Sequence, residues 1–180
     1  MKRLGALLAL SAIPGFAAAQ TPAAPQSCMP QPQAAALVTF SLPMLVQQLA
    51  SRCRDDLPAS AYLPANAGTL AERYRADAAA AWPMARRAIA QIFTQFLGQP
   101  MPDDMNSDLI RTLAEPALAG LLAKQIHRSD CATANAAITD VAALSGRAVG
   151  RLAAIAATVA DRKGNGIAGV LKVCKPADDR

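Results

Sequence analysis

Four cysteines have the most definite chemistry in this 180-residue sequence: Cys28, Cys53, Cys131 and Cys174. Metal sites built from cysteine normally use closely spaced pairs such as C-x-x-C, and the sequence contains no such pair. An even number of widely separated cysteines is instead typical of the disulfide framework of an exported protein. We therefore expect two disulfides and no metal site.

The sequence offers few candidate residues for acid–base catalysis. It contains one histidine, His127, and two glutamates, Glu72 and Glu115. His127 falls at the end of a predicted helix, where interaction with the helix dipole explains it without a catalytic role. Glu72 is expected to act in a helix cap. Glu115 directly precedes Pro116 and is expected at a helix junction, so it is the candidate general acid of a glycan hydrolase. An exposed structural carboxylate explains Glu115 more simply, and no cofactor is expected.

Arginines on one predicted helix are the candidate binding residues. Arg73, Arg86 and Arg87 are expected on the outer side of a segment whose inner side carries Tyr74 and Trp82. Such a surface can bind the phosphate or carboxylate groups of an anionic envelope component. It can equally be a solvated face whose arginine stems cover apolar surface. The basic residues are not interleaved with aromatic residues, so nucleic acid is not an expected partner.

The first nineteen residues have the composition of a secretory signal peptide. Lys2 and Arg3 precede an apolar run over residues 4–16, and alanines at positions 17 and 19 suit signal peptidase. Cleavage after Ala19 removes the two basic residues and lowers the formal net charge from +5 to +3. We expect a periplasmic or secreted protein with no transmembrane segment after cleavage.

The remaining chain is long enough for one domain with its own core. Residues 20–33, rich in proline and glutamine, are expected to form an extended arm, and residues 34–180 a single helical domain. Hydrophobic residues make up 53% of the sequence, and many of them are alanine, which favours helices but buries little area. No alternating pattern of strand length occurs. The fold class is therefore predicted to be all-α.

Capping residues and prolines predict where the helices begin and end. The uncharged stretch Ala34–Ala50 is predicted to be a buried helix that Ser41 caps and Pro43 opens. A capping box at Thr69–Glu72 predicts the start of a second helix, which Pro83 kinks or splits and Gly98 ends.

The rest of the chain is predicted to form two further helices. Ser107 or Asp108 caps the first of these, which runs to His127 and is broken at Pro116. The last is a single long helix from Cys131 to about Asp161.

These elements predict an up-and-down bundle of four to five helices, stapled by disulfides. Short connections make neighbouring helices antiparallel, which places Cys53 and Cys131 at the same end of the bundle and leaves Cys28 and Cys174 on the terminal arms. The expected pairing is therefore Cys53 with Cys131 and Cys28 with Cys174. Four cysteines allow three pairings, and the sequence alone does not exclude the other two.

The expected function is that of an exported, non-enzymatic helical protein with a binding or structural role in the cell envelope or outside the cell. Its partner would be an anionic envelope component or another envelope protein. One alternative is a small cell-wall hydrolase that uses Glu115. The other is a periplasmic chaperone-like protein that binds unfolded chains through the apolar helix Ala34–Ala50.

Overall fold

The computed structural model describes residues 28–102, 107–162 and 173–174. These residues form an all-α bundle, as predicted, and contain no strand beyond an isolated bridge between Met29 and Val173. Residues 1–27, which hold the predicted signal peptide and most of the predicted arm, and residues 103–106, 163–172 and 175–180 lie outside the described residues. The helices are α1 (Gln31–Arg52), α2 (Tyr62–Leu97), α3 (Ser107–Lys124), α4 (Cys131–Val141) and α5 (Gly146–Arg162), with one 3-10 turn at Arg128–Asp130.

The helices follow the up-and-down order that the sequence predicts. Helix α3 runs in the same direction as α1, because Gln48 donates to the Pro116 carbonyl (3.2 Å) and Arg52 donates to the Ile126 carbonyl (2.9 Å). Helices α2 and α5 run in the opposite direction to α1. The start of α5 lies beside Thr39, whose hydroxyl donates to the carbonyl of Gly146 (3.3 Å), and later residues of α5 lie beside the start of α1.

Two apolar clusters form the core, and α1 and α2 contribute to both. One cluster lies towards the end of the bundle where α1 stops and α2 starts, and the other lies where α1 starts. The first contains Leu49, Leu63, Leu70, Tyr74 and Ala142; the second contains Met29, Leu37, Phe40, Ala85 and Ala154. Alanine is frequent in both, so the helices approach closely and the buried area per residue is small.

Disulfides close both ends of the bundle, and both predicted pairs are confirmed. Cys28 is joined to Cys174, and Cys53 is joined to Cys131. The Cys53–Cys131 pair is fully buried in the first cluster. The sequence separations of 146 and 78 residues correspond to a stabilisation of about 5 and about 4.5 kcal/mol, respectively, in the chain-entropy model.

Helix α1 begins earlier than predicted, and its predicted cap is wrong. Gln31 opens the helix after Pro30, with Pro32 in the first turn, where a missing N–H costs nothing. Ser41 lies inside the helix, fully buried, and donates to the carbonyl of Leu37 (3.1 Å). Pro43 is also internal to α1. Residues 31–33, the last three of the arm predicted over residues 20–33, are therefore helical.

Helix α2 begins at Tyr62, so the capping box predicted at Thr69 and Glu72 is wrong. Both residues are exposed inside the helix. The start of α2 is fixed by α4, because the side-chain oxygen of Asn135 accepts a hydrogen bond from the N–H of Leu63 (2.8 Å). Because Asn135 is far from Leu63 in the sequence, no residue near the start of α2 indicates this cap. The predicted end is confirmed, since Gly98 adopts a left-handed conformation with φ of 69°.

Prolines inside helices do not break them, whereas the last predicted helix is divided. Helix α2 passes through Pro83, and α3 passes through Pro116. The single helix predicted from Cys131 to Asp161 is instead α4 and α5, separated by residues 142–145. Ser145 starts α5, because its hydroxyl accepts a hydrogen bond from the N–H of Ala148 (3.3 Å).

Helix α1 alone among the described helices is long and apolar enough to cross a membrane, judged by length and composition. Ten of its 22 residues are buried in the bundle. A central core helix satisfies the same criterion, and α1 has that position here.

Glycine allows α5 to lie directly against α1. A Cβ atom added to Gly150 would overlap the hydroxyl of Thr39 and lie 2.5 Å from the carbonyl oxygen of Ala35. One turn earlier, a Cβ on Gly146 would lie 3.1 Å from the Cβ of Asp77 on α2. Any larger residue at position 150 therefore forces the two helices apart.

We expect Gly150→Ala to lower the free energy of unfolding by about 2 to 3 kcal/mol, because the added methyl group meets the α1 backbone. Gly68→Ala is the matched control. Gly68 also lies inside a helix, but a Cβ there meets nothing within 4 Å. The change should therefore raise the free energy of unfolding by about 0.5 to 1 kcal/mol. Urea denaturation followed by circular dichroism measures both variants. Equal stabilities for Gly150→Ala and the wild type would contradict this packing.

Candidate functional site

A cleft of about 650 Å³ opens between α1, α2 and α5; we call it the α5 cleft. It is lined by small apolar side chains from α1 and α2, which we call its floor, and by larger apolar side chains, which we call its walls. The floor residues are Ala35, Ala36, Ala80 and Ala81, and the wall residues are Met84 and Ile155. Because alanine side chains are short, they leave open space between the helices at this level of the bundle.

Two arginines one helical turn apart line the α5 cleft, and both come from α5. Arg147 donates through Nε to a carboxylate oxygen of Asp77 (3.3 Å). Arg151 has no charged partner among the described residues. Both are exposed, so their guanidinium groups meet solvent beside an apolar floor. This arrangement suits a ligand with an anionic head and an apolar tail.

Asp77 fixes the start of α5 and with it the position of both arginines. One of its carboxylate oxygens accepts a hydrogen bond from the N–H of Gly146 (2.8 Å), and the other accepts from Arg147. A carboxylate at this point satisfies an otherwise unpaired N–H and interacts favourably with the helix dipole. The Asp77 side chain is only 20% exposed.

Tyr74 lies one turn before Asp77, buried beneath the first turn of α5. Its hydroxyl has no hydrogen-bond partner among the described residues. Burial raises the pKa of the Tyr74 hydroxyl, and the neighbouring Arg73 guanidinium lowers it in part. Tyr74 is therefore neutral at physiological pH and serves as packing.

A second cleft, of about 510 Å³, contains two of the arginines that the sequence singles out. Arg86 and Arg87 line it together with Trp82, whose indole N–H donates to the hydroxyl of Ser107 (3.3 Å). The Nε atom of Arg86 is buried without a hydrogen-bond partner in the described part of the chain. Residues 103–106, which join the two sides of this cleft along the chain, lie outside the described residues.

Arg73 does not share a site with Arg86 and Arg87. Arg86 follows Arg73 by thirteen positions along α2, which corresponds to about 20 Å along the helix. The Arg73 guanidinium lies 5.5 Å from the ring centre of Tyr74. The three arginines therefore belong to two separate regions of α2.

The sequence candidates for catalysis lie away from both clefts. Glu115 is inside α3, which continues through Pro116, so the predicted helix junction does not exist. His127 is exposed and precedes the 3-10 turn, beyond the end of α3 at Lys124. Within the described ranges, no three side chains of His, Cys, Asp or Glu lie close enough to hold a metal ion.

The residues of the α5 cleft were not identified from the sequence. The pattern Gly146-Arg147 followed by Gly150-Arg151 was available as a signal, because a four-residue spacing places the glycines on one stripe of a helix and the arginines on the adjacent stripe. The cleft also depends on the break before α5, which was not predicted.

Comparison with known proteins gives no relative from which to transfer a role: no family model, curated protein or solved structure matches this chain.

We expect Asp77→Ala to lower the free energy of unfolding by about 1 to 2 kcal/mol, because the first turn of α5 loses its acceptor and Arg147 loses its partner. Glu72→Ala, which removes only an exposed ion pair with Arg75 on the same helix, should cost less than about 0.5 kcal/mol. Urea titrations compare the two variants. A smaller loss for Asp77→Ala than for Glu72→Ala would show that Asp77 does not hold α5.

Proposed function

We propose that this is an exported, non-enzymatic protein of the cell envelope that binds a single-chain anionic amphiphile in the α5 cleft. One observation carries the proposal: an apolar floor of alanines lies directly beside two solvent-facing arginines. An alkyl chain would displace water from the floor, and the head group would meet Arg147 and Arg151.

The size and chemistry of the cleft favour this ligand class. Its volume of about 650 Å³ falls in the usual range of small-molecule sites, roughly 300 to 1,000 Å³. Guanidinium groups bind carboxylates and phosphates through paired N–H donors. Asp77 already engages the Nε of Arg147, which leaves its terminal nitrogens for the ligand, and Arg151 has no competing carboxylate in the described structure.

The lining of the clefts supports a binding role over catalysis. Among the described residues, neither cleft is lined by His, Cys, Asp or Glu, so neither lining pairs a serine hydroxyl with a general base. A hydrolase that used Glu115 would need that residue in a cleft, and Glu115 lines neither. Chaperone-like binding through α1 would require that helix to leave both core clusters.

The proposed location rests on two features. Two disulfides with no unpaired cysteine are typical of proteins that fold in an oxidising compartment. Residues 1–19 have the composition of a cleavable signal peptide. Together they favour the periplasm or the exterior.

We expect the protein recovered from the envelope or medium of an expressing bacterium to begin at Gln20 and to carry both disulfides. Intact mass spectrometry before and after reduction tests this, because each disulfide lowers the mass by two hydrogens. A retained start at Met1, or thiols that react with an alkylating agent before reduction, would contradict export.

We expect saturable binding of laurate, measured by isothermal titration calorimetry below its micelle concentration, and much weaker binding of the uncharged 1-dodecanol. Arg147→Ala/Arg151→Ala should weaken laurate binding about fivefold to tenfold, because two exposed ionic contacts are lost. The matched control is Arg86→Ala/Arg87→Ala, which removes the same charge and should leave laurate affinity unchanged. Loss of binding only in this control would place the site in the second cleft and contradict the proposal.

A second pair of variants tests occupancy of the α5 cleft without changing charge. Ala80→Trp fills the cleft from an exposed position on α2 and should abolish laurate binding. Ala79→Trp, also exposed but outside the cleft, should bind like the wild type. Equal binding by the two variants would show that laurate binds elsewhere.

A further inference from the structure

The outer face of α5 carries apolar side chains that nothing in the described structure covers. Leu152, Ile155 and Val159 are 50%, 50% and 45% exposed. Their spacing places them on one side of the helix, opposite the small residues Gly150 and Ala154 that pack against α1. We call these three residues the α5 ridge.

The charged residues beside the α5 ridge are two arginines. From Gly146 to Ala160 the helix contains no acidic residue, and its two charged residues are Arg147, which is paired with Asp77, and Arg151. The last two residues of the helix are Asp161 and Arg162. Both are exposed on the flank of the ridge that borders the α5 cleft. Ile155 belongs to the ridge and also lines the cleft, so the two surfaces are continuous.

Apolar exposure alone does not distinguish α5, because α3 exposes leucines as well. Leu109, Leu113 and Leu121 are 54%, 62% and 53% exposed. Helix α3, however, carries charges of both signs along its length, with Asp108 and Glu115 as well as Arg111 and Lys124. What distinguishes α5 is that arginine is the only charged residue type over its first fifteen residues, 146–160, the pattern of helices that lie in a membrane interface.

We propose that the α5 ridge docks the protein on the surface of an anionic lipid membrane. Leu152, Ile155 and Val159 enter the boundary between head groups and acyl chains, and the two arginines meet lipid phosphates. This goes beyond ligand binding in the cleft, which does not require a membrane. Docking in this orientation places the cleft beside the lipid surface, because Ile155 joins the two.

A membrane suits the α5 ridge better than a second copy of the chain. Three half-exposed side chains offer far less than the roughly 800 Å² per partner that a stable dimer buries. Two copies meeting through this face would also bring arginines of like charge together. An anionic surface supplies complementary charge and needs only shallow insertion.

Cosedimentation with vesicles tests the proposal on the protein with its disulfides intact. Wild type should bind phosphatidylglycerol vesicles, bind phosphatidylcholine vesicles much less, and detach as salt is raised. Leu152→Gln/Val159→Gln should lower the partition coefficient about tenfold or more, because two inserting side chains become polar. Neither residue lines the α5 cleft, so laurate affinity should be unchanged in this variant.

The matched control is Leu113→Gln/Leu121→Gln on α3, which removes equally exposed leucines and should bind vesicles like the wild type. Equal binding to both lipids, or wild-type binding by the α5 ridge variant, would overturn the proposal. So would a concentration-dependent dimer in sedimentation velocity that only the ridge variant loses, because the occupant would then be a second copy. Failure of laurate binding with intact vesicle binding would contradict the proposed cleft function and leave membrane docking standing.

Discussion

The contact between α5 and α1 at Gly150 decides how α5 is oriented in the bundle. The helices meet without an intervening side chain, since any Cβ at Gly150 would overlap Thr39 and crowd the carbonyl of Ala35. This approach buries the inner face of α5 and completes the second core cluster through Ala154. It also fixes which face remains outside. The two arginines come to lie beside the alanine floor, and the α5 ridge faces solvent, because the opposite side of the same helix is committed to packing.

Alanine-rich packing explains why this bundle carries a disulfide at each end. Alanine side chains allow close helix approach but bury little apolar area, so each contributes less hydrophobic stabilisation than a leucine would. The Cys53–Cys131 bond joins the end of α1 to the start of α4, and the Cys28–Cys174 bond joins the chain before α1 to the chain after α5. By restricting the unfolded chain, the two bonds supply stability that an alanine core does not. The small volume of the alanine side chains also leaves the α5 cleft open.

Composition and spacing predict the all-α class and the up-and-down order, and they favour the two observed disulfide pairs over the other two possible pairings. These depend on the balance of residue types and on short connections, which are properties of the chain itself. Helix ends fixed by distant partners were not predictable in this way. The Asn135 side chain starts α2 and the Asp77 carboxylate holds the start of α5, and neither partner is near in sequence. The sequence predicts one helix over α4 and α5, which assigns Arg147 and Arg151 to no site, whereas Arg86 and Arg87 are predicted on the outer side of a helix whose inner side carries Trp82.

If the α5 cleft holds the apolar part of an anionic ligand, a photoreactive fatty acid should crosslink to the residues that line it. A fatty acid with a photoreactive diazirine near the end of its chain would be bound to the disulfide-intact protein, irradiated, and located by peptide sequencing. Labelling should concentrate on the floor and wall residues of the cleft, Ala35, Ala36, Ala80, Ala81, Met84 and Ile155, and should fall when unlabelled laurate competes. Labelling that is concentrated on Trp82 and Met101, or on the exposed leucines of α3, would contradict binding in the α5 cleft.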